Sequence, residues 1–174
     1  MPETERVVFK VFIRGSIQAV WHEITKQDGP QLCMFNMKLE TNGLQPGGQI
    51  RMRTASGKNT GVAGEVLEVR PPYRYVHTFR FTQHDDPPCT VIHELKEVTG
   101  GVEYTLTHEN VPAGTKTAKQ INQGGALIVK TLKSVIECGR PSFGIRLLYL
   151  LFKLTEPLMP RKCRSENWPL DRKV

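Results

Sequence analysis

A chain of 174 residues with 39% apolar and 24% charged side chains has the material for one globular domain with a real core and room for an internal cavity. No run reaches the ~18 apolar residues of a spanning helix, and the acidic start MPETER lacks the basic-then-apolar layout of a signal peptide, so a cytoplasmic protein is expected. The net charge of +7 is uneven: from Gly139 onward eight basic residues stand against Glu156, Glu166 and Asp171, leaving +5 in the tail, which argues against a nucleic-acid reader with its charge on the folded body.

Arg6–Ile13 alternates and is rich in β-branched and aromatic residues, a first strand. Ser16 is placed to cap a helix in which Ile17, Val20, Trp21 and Ile24 share a face, and Asp28-Gly29-Pro30 stops it. Pro30–Phe35 reads as a second short helix. Six strands follow: Met37–Thr41, Gln49–Thr54, Gly61–Val69, Tyr73–Phe81, Thr90–Val98 and Val102–Glu109. Turn residues such as Asn42-Gly43, Pro46-Gly47-Gly48 and Thr99-Gly100-Gly101 separate them, and short connections favour an antiparallel meander. Residues 116–138 form a long helix of roughly 35 Å, with Ile121, Gly125, Ile128, Leu132 and Val135/Ile136 on one stripe and Gly139 and Pro141 ending it.

Beyond it, Phe143–Leu154 is a helix apolar all round except near Arg146 and Lys153. It is too short to span a bilayer. Packing on its own domain or across a homodimer is the first reading, and lying in a membrane surface the second. Pro160–Val174 reads as extended, with Trp168-Pro169-Leu170 available as an anchor. The four cysteines, Cys33, Cys89, Cys138 and Cys163, form no CxxC and are taken as reduced thiols rather than zinc ligands or a disulfide framework.

Four motifs in order carry a resemblance: Pro46-Gly47-Gly48 entering a strand, the run Gly64–Tyr75 (GEVLEVRPPYRY), Tyr104–His108 (YTLTH), and Leu132–Gly139 (LKSVIECG). Together they resemble the helix-grip START/polyketide-cyclase (SRPBCC, Bet v 1-like) superfamily over about residues 5–141. Within it they are most similar to the branch named after the activator of the ninety-kilodalton heat-shock-protein ATPase. The resemblance implies an α+β fold, a curved seven-stranded antiparallel sheet wrapped round the long helix, with a cavity that in many members holds a lipid, sterol, polyketide or other apolar molecule. It implies a helix-grip domain over residues 1–141 and leaves 142–174 as a basic, helical extension. Where the family often has Gly-Trp early in the long helix, this chain has Gly125-Ala126, which leaves either more room in the cavity or a need for another filler.

Strand parity puts Tyr75, His77 and Phe79 on one face, Val91, His93 and Leu95 on another, and Tyr104, Leu106 and His108 on a third. If the turns pair His77 with His93 and His93 with His108, three imidazoles share one wall. That spacing suits a metal or an acid/base pair, and it equally suits polar groups lining a cavity. No carboxylate is clearly aimed at the group, so no catalytic residue, metal ligand or cofactor is assigned. The expected ligand wall is Trp21, Phe35, Tyr75, Phe79, Leu95, Ile121, Gly125 and Ile128, with His77, His93 and His108 orienting the guest. Plain core packing is the competing reading for each. Gly124-Gly125 costs roughly 1 kcal/mol per glycine in a helix, which implies either a close approach or a kink. Arg51 and Arg53 alternate with Ile50 and Met52 and are read as solvent-facing. Asp28–Pro30 and His84–Cys89 are the candidate gating loops. The expected function is non-covalent binding of a small hydrophobic or amphipathic ligand. A cyclase- or hydrolase-type enzyme using the histidines and a chaperone-regulating interaction module are the alternatives.

Overall fold

The computed structural model describes residues 3–174, so Met1 and Pro2 of the amino-terminal segment lie outside the described residues. The chain runs β1 (Thr4–Ile13), α1 (Ile17–Thr25), β2 (Pro30–Gln31), β3 (Met37–Thr41), β4 (Gln49–Arg53), β5 (Thr60–Arg70), β6 (Arg74–Phe81), β7 (Cys89–Val98), β8 (Gly101–Pro112), α2 (Lys116–Cys138) and α3 (Phe143–Thr155). The strands form one antiparallel sheet in the order β1-β8-β7-β6-β5-β4-β3-β2, in which every neighbour but β1 follows its predecessor in sequence.

The sheet has eight strands rather than seven. Pro30–Gln31 is extended and pairs with β3 instead of forming a helix, because the Gln31 amide donates back to the carbonyls of Ile24 and Lys26 at 3.1 and 3.3 Å and ties the segment to the end of α1. Phe35 and Asn36 then turn the chain at φ 54° and 60°, which no continuing helix tolerates. The helix ends follow the side chains that cap them. Ser16 Oγ accepts from the Ala19 amide, Thr115 Oγ1 accepts from the Ala118 amide, each at 3.1 Å, and Gly139 at φ 72° closes α2.

Helix α2 lies on β1 and β8, burying Ile121, Gly125, Val129 and Leu132. A Cβ on Gly125 would sit 2.1 Å from the Phe9 ring of β1, so this glycine exists for close helix–sheet approach. The main core joins that helix to Ile13, Ile17, Val20, Ile24, Val91, Val102, Tyr104 and Leu106. A second cluster, Leu39, Ile50, Val66 and Tyr75, occupies the other half of the sheet. Because α2 covers only one side, the concave surface of β3–β6 needs another cover.

The carboxy-terminal extension supplies it. Tyr149 donates its hydroxyl to the Leu32 carbonyl, and the Phe152 ring packs against Phe35 with centroids 6.2 Å apart. At the far end Glu156 accepts from Thr54 Oγ1, from Ser56 Oγ at 2.6 Å and from Asn59 Nδ2 at 3.1 Å. The chain then passes round the β4–β5 hairpin onto the outer face of the sheet. It is not extended there: short 3₁₀ turns cover Arg161–Cys163 and Ser165–Asn167, each closed by backbone bonds. On that face Arg51 and Arg53 are buried, contrary to the solvent-facing expectation. Their parity is outward, but the tail lies over them. Arg51 donates to the carbonyls of Trp168 (3.3 Å), Pro169 (2.9 Å) and Arg172 (2.5 Å), and Arg53 to that of Ser165 (3.2 Å) and to Glu40 (2.7 Å).

Candidate functional site

Between the sheet, α2 and α3 lies a cavity of about 1030 Å³ with a predominantly apolar lining. From the expected set Phe35, Tyr75, His77, Phe79, His93 and His108 line it, together with Ile121, Gly125 and Ile128 of α2. Trp21 and Leu95 do not. Trp21 is half-buried between the two core clusters, and Leu95 is sealed in the main one. Ala126, standing where the family often has tryptophan, is not part of the lining either.

Sequence reasoning had the apolar helix packing on its own domain or across a homodimer but gave the extension no part in the ligand wall, and it missed the methionines. Leu148, Tyr149, Phe152, Glu156 and Met159 close the cavity from the extension, and Met34, Met37 and Met52 line its sheet half. The apolarity of residues 143–154, broken only by Arg146 and Lys153, was the available signal for the lid: a helix so poor in polar side chains must cover something. Thioethers carry no periodic signature. They suit a wall that adapts to its guest.

The histidine wall is built by β6, β7 and β8 in a register two residues away from the expected one. The β7–β8 turn uses only Thr99 and Gly100, with Gly101 already paired to Val98, so His93 faces Leu106 and Tyr75. His77 and His108 instead flank Val91. The rings still meet: His77 Nε2 lies 3.2 Å from His93 Nε2, His77 Nδ1 lies 2.7 Å from the Thr78 carbonyl, and His93 Nδ1 lies 2.7 Å from the Tyr104 hydroxyl.

These contacts fix the protons. The Thr78 carbonyl can only accept, so His77 carries its hydrogen on Nδ1 and offers a lone pair at Nε2. His93 must then donate from Nε2 and accept at Nδ1 from the Tyr104 hydroxyl. The result is a neutral chain from Tyr104 through His93 and His77 to Thr78. Burial disfavours the imidazolium throughout. It lowers His77 to about 4 against a backbone bond that pulls the other way, and lowers His108 to about 4 with help from His77. His93 falls well below the ordinary value, by burial first and then by its two histidine neighbours.

Two polar atoms of this wall have no partner among the described residues, the enclosed Tyr75 hydroxyl and His108 Nδ1. The His108 ring makes no hydrogen bond among the described residues and is held edge-on by Phe9 and Phe79 at 6.4 and 5.9 Å. The lone pairs of His77 and His93 are committed to one another and to Tyr104, and the buried thiol of Cys89 is pushed up to about 12. Among the described residues no group of three or more His, Cys, Asp or Glu side chains is placed to hold a metal ion. The arrangement thus presents two unpartnered polar atoms in a wall of neutral side chains.

A curled antiparallel sheet gripping a long helix around an apolar cavity defines a helix-grip protein. The profile described as "Activator of Hsp90 ATPase homolog 1-like protein" matches residues 4–137, and the chain belongs to that family. Among solved structures the crystal structure of CalU16 from Micromonospora echinospora is similar, at 16% identity and TM-score 0.64, covering 90% of this chain and 89% of that one. The Aha1 dimer from Colwellia psychrerythraea is similar at 18% identity and TM-score 0.62, covering 78% and 98%. PFC0360w, an HSP90 activator from Plasmodium falciparum, gives 18% and 0.62, covering 78% and 97%. At these identities the likeness is one of fold. No curated protein sequence matches the chain. Among the described residues no helix is long and apolar enough to cross a membrane.

Proposed function

We propose that the protein binds one small apolar or amphipathic molecule between the sheet and α2 and holds it without covalent chemistry. The cavity of about 1030 Å³ carries this reading, since it reaches the upper end of the range for small-molecule sites, about 300–1,000 Å³. Its deep wall is lined by neutral imidazoles, and the charged side chains of the lining, Lys153 and Glu156, belong to the lid. A carboxylate or ammonium driven against the histidines would lie buried without a counter-ion, so the guest presents a hydroxyl, carbonyl or ester there. In this reading residues 1–141 are the binding body, 142–174 its cover, and the four thiols stay reduced in the cytoplasm.

Native mass spectrometry of the purified chain, followed by organic extraction, tests it. A stoichiometric apolar compound is the expected result, or, for a chain purified empty, saturable one-to-one binding of an environment-sensitive apolar dye. Ile128→Trp, which fills the cavity from α2, should abolish either while leaving the thermal transition cooperative. An empty chain that binds no dye, or a bound compound indifferent to that substitution, sinks the reading. Family membership supports a second reading, a module that docks on the Hsp90 chaperone. Its test is direct binding to purified Hsp90 with and without residues 142–174.

A further inference from the structure

We propose that the outer face of α3 docks on an anionic lipid surface, so that the cavity beneath exchanges its occupant with the membrane. The docking is argued from the helix itself, and the exchange rests on the ligand-binding reading above. Over residues 143–154, apart from Arg146 and Lys153 along one side, helix α3 gives water only apolar side chains. Its inner face lines the cavity, while Phe143, Leu147, Leu151 and Leu154 form one outward stripe, 78%, 57%, 52% and 68% exposed, and Leu150, 52% exposed, stands where the stripe meets the cavity rim. Leu158, 82% exposed, carries it past the end of the helix. A contiguous apolar surface of this kind on a folded protein marks a place where something else belongs.

Charge says what. Arg146 and Lys153, seven residues apart, flank the stripe along one side of the helix, and Arg140 and Arg161 stand before and after it in the chain, all four exposed and without an ion pair among the described residues. The single acid between Gly139 and Arg164 is Glu156, and it is turned away into the hydroxyls of Thr54 and Ser56. An apolar stripe bordered by free cations fits acyl chains below and anionic headgroups above. A second copy of the chain fits worse. A two-fold interface presents the same patch on both sides and would bring Arg146 and Lys153 against their own counterparts. With 13 residues the helix is about 20 Å long, so it lies in the interface rather than crossing it.

Co-sedimentation of the full chain with phosphatidylserine-containing vesicles, against pure phosphatidylcholine, is the test. Binding to the anionic vesicles should exceed binding to neutral ones by roughly tenfold or more and fall in high salt. Leu147→Glu with Leu154→Glu, and separately Arg140→Glu with Arg146→Glu, should each abolish it. None of these residues lines the cavity, so occupancy read by native mass spectrometry stays unchanged in both variants. Absence of vesicle binding, or binding indifferent to both variants, overturns the proposal. So does a micromolar dimer that Leu147→Glu returns to monomer with no vesicle binding, which would assign the face to a second copy. A chain that keeps its guest yet ignores vesicles refutes docking and leaves the carrier reading standing. One that binds anionic vesicles with an empty cavity upholds docking and refutes the exchange.

Discussion

The buried imidazoles make stability depend on pH in a window where carboxylates contribute little. In the unfolded chain His77 and His108 take up protons near their ordinary value of 6.5, whereas in the fold they resist until about 4. Between those limits the unfolded state binds more protons, so stability is complete above pH 6.5 and drains away as pH falls towards 4. At 1.36 kcal/mol per unit the interval is worth on the order of 3 kcal/mol for each of these two rings, their sum falls within the ~5–15 kcal/mol that holds a domain folded, and His93 acts in the same direction. Urea unfolding followed by far-UV circular dichroism from pH 8 to pH 4 reads this directly. His108→Phe separates it from other acid effects, because His108 gives up no hydrogen bond and already sits between Phe9 and Phe79. The variant should lose roughly a third of the slope between pH 6.5 and 4.5, with His77 and His93 supplying the rest, while matching the parent at pH 8. A flat parent profile across that window, or an unchanged slope in His108→Phe, refutes the reasoning.

The lid should be separable from the body. Burial raises the Glu156 carboxyl, but the hydroxyls of Ser56 and Thr54 and the Asn59 amide outweigh it and hold the group below its ordinary value. Glu156→Ala should therefore speed amide exchange across Phe143–Thr155 by about tenfold or more, with the sheet unaffected, as seen by hydrogen-exchange mass spectrometry. Arg51→Lys should destabilise the chain by about 1–3 kcal/mol in urea, since one ammonium cannot reproduce the fork that reaches the Trp168, Pro169 and Arg172 carbonyls. Gly125→Ala adds helix propensity yet should destabilise the chain by about 1–3 kcal/mol, seen as a lower melting temperature, because the new methyl meets the Phe9 ring.

What was legible in the sequence is what short-range chemistry decides. Lys116–Cys138 was readable to the residue because its apolar stripe and the Gly139 and Pro141 stop agree. Inward parity on β6–β8 was readable because side chains alternate. Register was not, since one residue more or less in the Thr99-Gly100 turn shifts every cross-strand partner. Arg51 and Arg53 fail for a different reason. Their alternation with Ile50 and Met52 places them on the outer face, but only a segment more than a hundred residues later decides whether that face meets water. The Gly124-Gly125 ambiguity is of the same kind, because the ring that demands Gly125 stands on β1.

Anchoring on both sides of α3 makes it a lid rather than a tail. Pro141 before it and Cys163 after it are buried, and beyond Cys163 the chain is clamped by two buried guanidinium groups. Between these points α3 buries no residue completely and holds by one tyrosine hydroxyl, one aromatic pair and the Glu156 carboxylate. Local opening free energy follows burial, so α3 belongs to the least stable part of the fold while its flanks do not. Such a segment lifts and recloses without releasing the chain that follows it. Exchange protection should accordingly dip across residues 143–155 and recover on either side, and a monotonic decline towards the carboxyl terminus would mean that the extension peels off as a whole.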